Sequence, residues 1–201
     1  TDSKHHNAEK RKSQYDYIIE QTKQRDWYVD TLVCAPWRID NAVDGEGLNL
    51  LEVDLFAAIL NRHNKIIAPP CDVILDACDV NEQRFTNRVV ERLNKWPVRG
   101  TTVRSEHKAD AHHRVVGGAS IVAKVARDTL VNELEEQLGF KIGSGYPSDP
   151  TTISALPNLI GPDEIHPDVR WSWATVERFW GQHYDTSLPK RERGGTTLFS
   201  M

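Results

Sequence analysis

Two carboxylates, a run of small residues, a cation and a constrained aromatic ring lie close together in this chain. Asp76 closes the apolar run Val73-Ile74-Leu75. Asp110 follows His107 and Lys108, just ahead of Gly117-Gly118-Ala119-Ser120. Ser120 and Lys124 are one helical turn apart. Tyr146 stands between Gly145 and Pro147 in the stretch GSGYPSDP. Acid, phosphate-sized turn, cation and aromatic are the parts that metal-assisted cutting of a nucleic-acid backbone would use.

Each part has its own physical reason. A carboxylate at the C-terminal end of a buried strand sits where α/β folds place their sites, and a buried acid needs a positive companion. A hard cation such as Mg²⁺ prefers carboxylate oxygens. Asp110 would supply the second carboxylate, since two cations about 3.5–4 Å apart can activate water and stabilise a leaving oxygen. The small residues at 117–120 predict a turn whose free N–H groups and helix dipole attract phosphate. Ser120 and Lys124 then fall on one helix face. Gly145 permits unusual backbone angles and Pro147 holds Tyr146 extended, so its ring could stack on a sugar and its hydroxyl could meet a 2′-OH. Taken singly, each has a plainer structural reading: a strand-end cap, a loop acid, tight helix packing with a solvated Lys, a turn Tyr at the core edge.

The elements that must position these residues follow from periodicity. Helices are expected over 8–24, over 50–64 with Asn49 as cap, over 81–94 with Asp79 as cap, over 120–138, over 151–156 and over 172–183. Gly139 closes the fourth of these. Strands are expected over 27–36, ended by Pro36, over 71–77 and over 101–105. Residues 37–47 read as loop, and the tail from Ser187 reads as mobile. Asp128 has the spacing to pair with Lys124. Arg127 reads as a surface or salt-bridge residue. Helices alternating with strands give an α/β class.

The bulk numbers narrow the function further. With 201 residues, 27 % charged and 39 % hydrophobic, the chain has the composition of a globular domain. A net charge of −4 does not advertise a nucleic-acid binder, so any phosphate contact must come from a local basic patch. No apolar run is long enough for a membrane span, and the polar start TDSKHHNAEKRK has no secretory signal. The odd set Cys34, Cys71 and Cys78 reads as buried free thiols of a reducing cytosol. The eight histidines never recur at zinc-ligand spacing.

Across almost its whole length the chain resembles ribonuclease HII in its archaeal form. The resemblance is carried by DSK at 2–4, LNLLEVDLFAAIL at 48–60, LDACDVNEQRF at 75–85, HKADAHHRVVGGASIVAKVARD at 107–128 and GSGYPSDP at 143–150. It implies an α/β RNase H-like fold, a mixed central sheet flanked by helices, in a catalytic domain over 1–157. A C-terminal helical part over 158–186 and a tail over 187–201 follow. It implies cleavage of RNA–DNA hybrids and of ribonucleotides embedded in duplex DNA, with Mg²⁺ or Mn²⁺, by a cytoplasmic monomer. Asp76 and Asp110 match the third and fourth of the family's four catalytic, metal-holding acids. Tyr146 matches its ribose-reading Tyr, and Gly117, Gly118, Ser120, Lys124 and Lys4 match substrate contacts. The family's first two acids belong to a DEAGRG-type strand, which this sequence does not contain. The first strands of the sheet are therefore expected to be missing, and the chain alone is expected to be inactive and poorly folded. The tail RERGGTTLFSM is similar to the sliding-clamp-binding tail of archaeal relatives, without its leading Gln and paired aromatics. Two other readings stand beside the nuclease: a non-catalytic nucleic-acid-binding protein with a decayed RNase H-like domain, and a related nuclease acting on DNA junctions.

Overall fold

A computed structural model describes residues 8–63, 70–95 and 99–191. Lys4 and the C-terminal end of the tail lie outside these residues. The order is α1 (Ala8–Gln24), α2 (Pro36–Asp44), α3 (Leu48–Arg62), β1 (Cys71–Asp76), α4 (Glu82–Glu91), β2 (Thr101–Glu106), α5 (Ala109–His112), α6 (Arg114–Leu138), α7 (Pro150–Leu159) and α8 (Ala174–His183). The class is α/β. Among the described residues the sheet has two strands, β1 and β2, paired in parallel with Asp76 opposite Glu106. Helix α4 is the crossover between them, as a parallel pair requires.

The described residues form two compact units, the first drawn from 8–32 and 49–126, the second from 33–48 and 127–191. In the first, Val53 and Ala57 of α3, Leu75 of β1, and Phe85 and Val89 of α4 are buried together. Phe56 meets Phe85 edge-on at 5.6 Å between centroids. The apolar spacing that predicts α4, with Phe85, Val89 and Leu93 inward, is the spacing that packs it on the strands. Helix α3 instead buries Val53 and Ala57 and leaves Leu51, Leu55 and Ile59 only partly buried and Ala58 exposed, which is not the face its sequence spacing predicts. In the second unit Leu156, Ile160, Ile165, Val169, Val176 and Trp180 form one cluster, and Leu134, Ile142 and Ala155 another.

Several expectations need correction. Residues 27–35 run without regular structure, and no strand pairs with them among the described residues. Residues 36–44, expected as loop, form α2. Pro36 does not merely stop the preceding segment: it opens the helix, where its missing N–H costs nothing. Helix α3 begins at Leu48, so Asn49 lies inside its first turn. The cysteines are free, but only partly buried. Burial and the neighbouring Glu52 push the Cys78 thiol up to about 12, which keeps it unreactive. The tail is held as far as Arg191, whose guanidinium donates to the Val169 carbonyl at 2.9 Å.

Asp79 is not the cap of α4. Asn81 is, accepting from the Arg84 N–H at 2.8 Å. Asp79 is instead a buried acid, bonded through its two oxygens to Arg84, with Arg88 at 3.5 Å and the Asn81 N–H at 3.0 Å. The Arg84 bond, then the Asn81 N–H, hold its carboxyl down at about 2. An acid depressed in the fold stabilises it fully above its ordinary range near ~3.9 and loses that contribution as pH falls toward the folded value. The urea midpoint of the wild type should therefore drop between pH 5 and pH 2, and Asp79→Asn should flatten that drop. An equally steep profile in the variant would show that other acids carry it.

Candidate functional site

β1 carries Asp76 to the end of the two-stranded sheet, and the next residue, Ala77, stays tied to β2 through its N–H on the Glu106 carbonyl at 3.0 Å. After β2 the chain reverses at Lys108, which takes left-handed angles (φ 57°, ψ 34°), and enters the single-turn helix α5. The fully buried Ala109 donates its N–H to Asp76 Oδ1 at 3.0 Å. Asp110 is the next residue. Asp110 therefore follows directly on the residue whose backbone bonds Asp76, at the end of the sheet where β1 and β2 stop. Neither has an ion-pair partner among the described residues, and both are partly exposed.

The small-residue stretch works differently from the expectation. Helix α6 already starts at Arg114, so Gly117 and Gly118 lie inside it and open no turn. The Gly117 N–H is taken by the His113 carbonyl at 2.9 Å. The expected cradle of free amides is absent at these two positions. Gly117 serves close approach instead: a Cβ there would lie 2.8 Å from the Asp110 carbonyl oxygen, so any larger residue must displace the Asp110 turn. A Cβ on Gly118 would be in ordinary contact with Ile18 at 3.6 Å. Ser120 and Lys124 do share a face, with the ammonium donating to Ser120 Oγ at 3.1 Å.

Tyr146 belongs to the second unit. Its turn is built by three acceptors. Glu135 accepts from the N–H groups of Ile142 at 2.8 Å and Gly143 at 3.0 Å. Asp149 caps α7 and also accepts from the Ser144 N–H at 2.6 Å, and these bonds, the Ser144 contacts first, lower its carboxyl to about 2. Thr152 accepts from the Gly145 N–H at 3.0 Å. Gly143 and Gly145 both take positive φ, at 71° and 66°. The Tyr146 ring is half exposed, with the Arg127 guanidinium 3.9 Å from its centroid. Arg127, read in the sequence as a surface or salt-bridge residue, does pair with Asp128 at 3.2 Å and is also the platform beneath this ring. Asp149-Pro150, an N-cap followed by a first-position Pro, is the sequence signal that locates the end of this turn.

Comparison with known proteins gives the family. Residues 1–176 match the family described as Ribonuclease HII. The chain belongs to the ribonuclease HII family. It is 41 % identical over 145 residues to the ribonuclease HII of Methanocella arvoryzae, covering 71 % of this chain and 61 % of that protein. It is 38 % identical over 190 residues to that of Methanocorpusculum labreanum, covering 93 % and 81 %. The chain thus spans less than two thirds of the first of these relatives. Among solved structures, the ribonuclease H2 of Pyrococcus horikoshii is similar with a TM-score of 0.70 and 32 % identity, over 90 % of this chain and 80 % of that one. The ribonuclease HII in a complex with PCNA from Archaeoglobus fulgidus is similar with a TM-score of 0.68 and 29 % identity, over 86 % and 77 %.

The donor set can be tested against a divalent cation. Among the described residues no group of three or more His, Cys, Asp or Glu side chains is placed to hold a metal ion. Mg²⁺, however, is commonly bound through one or two carboxylates, with substrate phosphate and water completing the shell. Asp76, with one oxygen engaged by Ala109, and Asp110 are hard oxygen donors of that kind. They fit a cation shared with a phosphate. No helix among the described residues is long and apolar enough to cross a membrane.

Proposed function

We propose that this ribonuclease HII chain hydrolyses the RNA strand of RNA–DNA hybrids and cuts at single ribonucleotides in duplex DNA, with Mg²⁺ or Mn²⁺. The observation that carries the reading is the bond from the Ala109 N–H to Asp76, which ties the strand-end acid to the turn bearing Asp110. Family membership supports the reaction class. A bound divalent cation would lower the pKa of an attacking water and offset charge on the phosphate oxygens. Asp76 and Asp110 would hold it. Lys124, held by Ser120, would place a positive charge beside a non-bridging phosphate oxygen. Gly117 contributes closeness to the Asp110 turn rather than an amide donor, and Gly118 lies within the helix beside it. Tyr146, fixed over Arg127, would offer its hydroxyl to the ribose 2′-OH. Lys4 remains a proposed phosphate contact outside the described residues. Clamp binding is proposed too, supported by the Archaeoglobus fulgidus complex of ribonuclease HII with PCNA, with the C-terminal tail as the proposed contact.

A duplex carrying one ribonucleotide tests the proposal. The full-length protein should cut it in Mn²⁺ or Mg²⁺ and leave the all-deoxy duplex intact; equal cutting of both would favour a DNA-directed nuclease. Tyr146→Ala should lower the ribo-over-deoxy preference by at least about tenfold, the loss of roughly 1.4 kcal/mol of discrimination. An unchanged preference would remove the sensor role. One observation favours a second reading, a nucleic-acid-binding protein without catalysis: the described residues gather no third metal-ligating side chain. A thermal shift separates the two, since Mn²⁺ should raise the melting point of a metal-holding enzyme and not that of a pure binding module.

A further inference from the structure

We propose that His113 and Glu106 form a clamp that positions Asp110, setting its carboxylate at the spacing from Asp76 that a divalent cation needs. The inference rests on the metal-site reading above and assigns the clamp residues that reading leaves out. The Asp110 side chain has no hydrogen-bond or ion-pair partner among the described residues. Its position is therefore set by the backbone of its turn, and that turn is fastened at its front, floor and back.

At the front, the His107 N–H donates to Glu82 Oε1 at 2.6 Å, and its ring donates to the Asp79 carbonyl at 2.7 Å. On the floor is the Ala109 bond to Asp76. At the back, His113 is the one residue between α5 and α6, and its backbone is extended (φ −118°, ψ 119°). A single-turn helix followed by an extended residue is a natural hinge. The His113 ring closes it. Its Nε2 lies 2.9 Å from Glu106 Oε2. An ionised carboxylate only accepts, so Nε2 carries the proton. Glu106 is held ionised first by this bond, its carboxyl lying below the usual range, and its other oxygen is bonded to Arg104. Glu106 also ends β2 directly opposite Asp76. The clamp therefore fastens the turn bearing one acid to the strand partner of the other. Gly117, packed against the Asp110 carbonyl, leaves that turn no room to shift toward α6.

Groups that orient metal-holding side chains typically change metal affinity about 10- to 100-fold when removed. The test is Mn²⁺ binding by the full-length protein, followed by calorimetry or by the spin resonance of free Mn²⁺, with melting points recorded without metal. His113→Ala should weaken Mn²⁺ about tenfold or more while the metal-free melting point moves little. His113→Gln, which keeps an N–H donor at similar reach, should restore most of the affinity. Glu106→Ala, which removes the acceptor, should weaken binding as His113→Ala does. Wild-type affinity in His113→Ala would overturn the clamp. So would a weakening that simply tracks a lower melting point and that Gln does not rescue. Asp110→Asn and Asp76→Asn separate the two levels. If they weaken Mn²⁺ and His113→Ala does not, only the clamp fails. If they leave Mn²⁺ binding intact, the metal reading fails and takes the clamp with it.

Discussion

Asp76→Asn in the full-length protein should lower single-turnover cleavage of a ribonucleotide-containing duplex by about three orders of magnitude or more, a barrier increase of about 4 kcal/mol. The size follows from what the substitution keeps and what it removes. Asn has the same shape and still offers an oxygen to the Ala109 N–H, so the tie between β1 and the Asp110 turn survives. The negative charge is lost, and with it the hard donor that a divalent cation requires. Duplex binding, measured by fluorescence anisotropy, should change little, because binding draws chiefly on backbone phosphate contacts made elsewhere. Loss of turnover with binding retained is the signature of a group that acts on the reacting phosphate. Wild-type turnover in the variant would remove Asp76 from the metal site and, with it, the reason for placing Asp110 there.

Much of the site is legible in the sequence because it depends on local chemistry. Asp76 is found by the apolar run it terminates, and that run is β1. Ser120 and Lys124 are found by their spacing, and the bond between them follows. The residues that escape are those whose role is set by what lies opposite. Glu106 becomes significant only in the register that faces it to Asp76. His113 becomes significant only when the chain between α5 and α6 bends it back onto Glu106. Arg127 reads as a surface or salt-bridge residue, and its second contact, the Tyr146 ring, exists only because the turn at 143–149 lays that ring against it. Gly117 is misread for a related reason. A Gly pair predicts a turn by propensity, yet the helix runs through it, and Gly117 is there because the Asp110 carbonyl leaves no room for a side chain. The segment 27–35 is misread in the other direction. Its β-rich composition predicts a strand, but a strand exists only with a partner, and composition does not supply one.

The largest stability effect should come from Asp40, a residue that sequence reading places in a loop. It lies in α2 and is almost fully buried. Oδ1 accepts from Ser172 Oγ at 2.7 Å, the Ser172 N–H at 3.1 Å and Arg170 Nε at 3.3 Å. Oδ2 accepts from Arg191 Nη1 at 2.9 Å and the Trp171 N–H at 3.1 Å. One carboxylate thus joins α2, the segment 170–172 and Arg191 beyond α8. The two guanidiniums also lie near indole rings, Arg170 by Trp173 at 5.5 Å and Arg191 by Trp171 at 5.2 Å. Asp40→Ala removes every acceptor at once and leaves two cations and two backbone N–H groups without their partner. Removing one member of a buried charge pair costs about 3–5 kcal/mol, so a loss of that order is expected for the second unit. Asp40→Asn keeps one acceptor oxygen and should fall between. Arg191→Ala should cost less than Asp40→Ala, because Arg170, Ser172 and the Trp171 N–H still neutralise and satisfy the acid. The double variant should then be less destabilised than the sum of the two, since each single change already breaks the same bond. Urea unfolding followed by fluorescence of the four tryptophans of the second unit, Trp37, Trp171, Trp173 and Trp180, measures the wild type and all four variants. Strict additivity, or an Asp40→Ala loss below about 1 kcal/mol, would mean that the acid is tolerated rather than required, since a surface pair is worth no more than that.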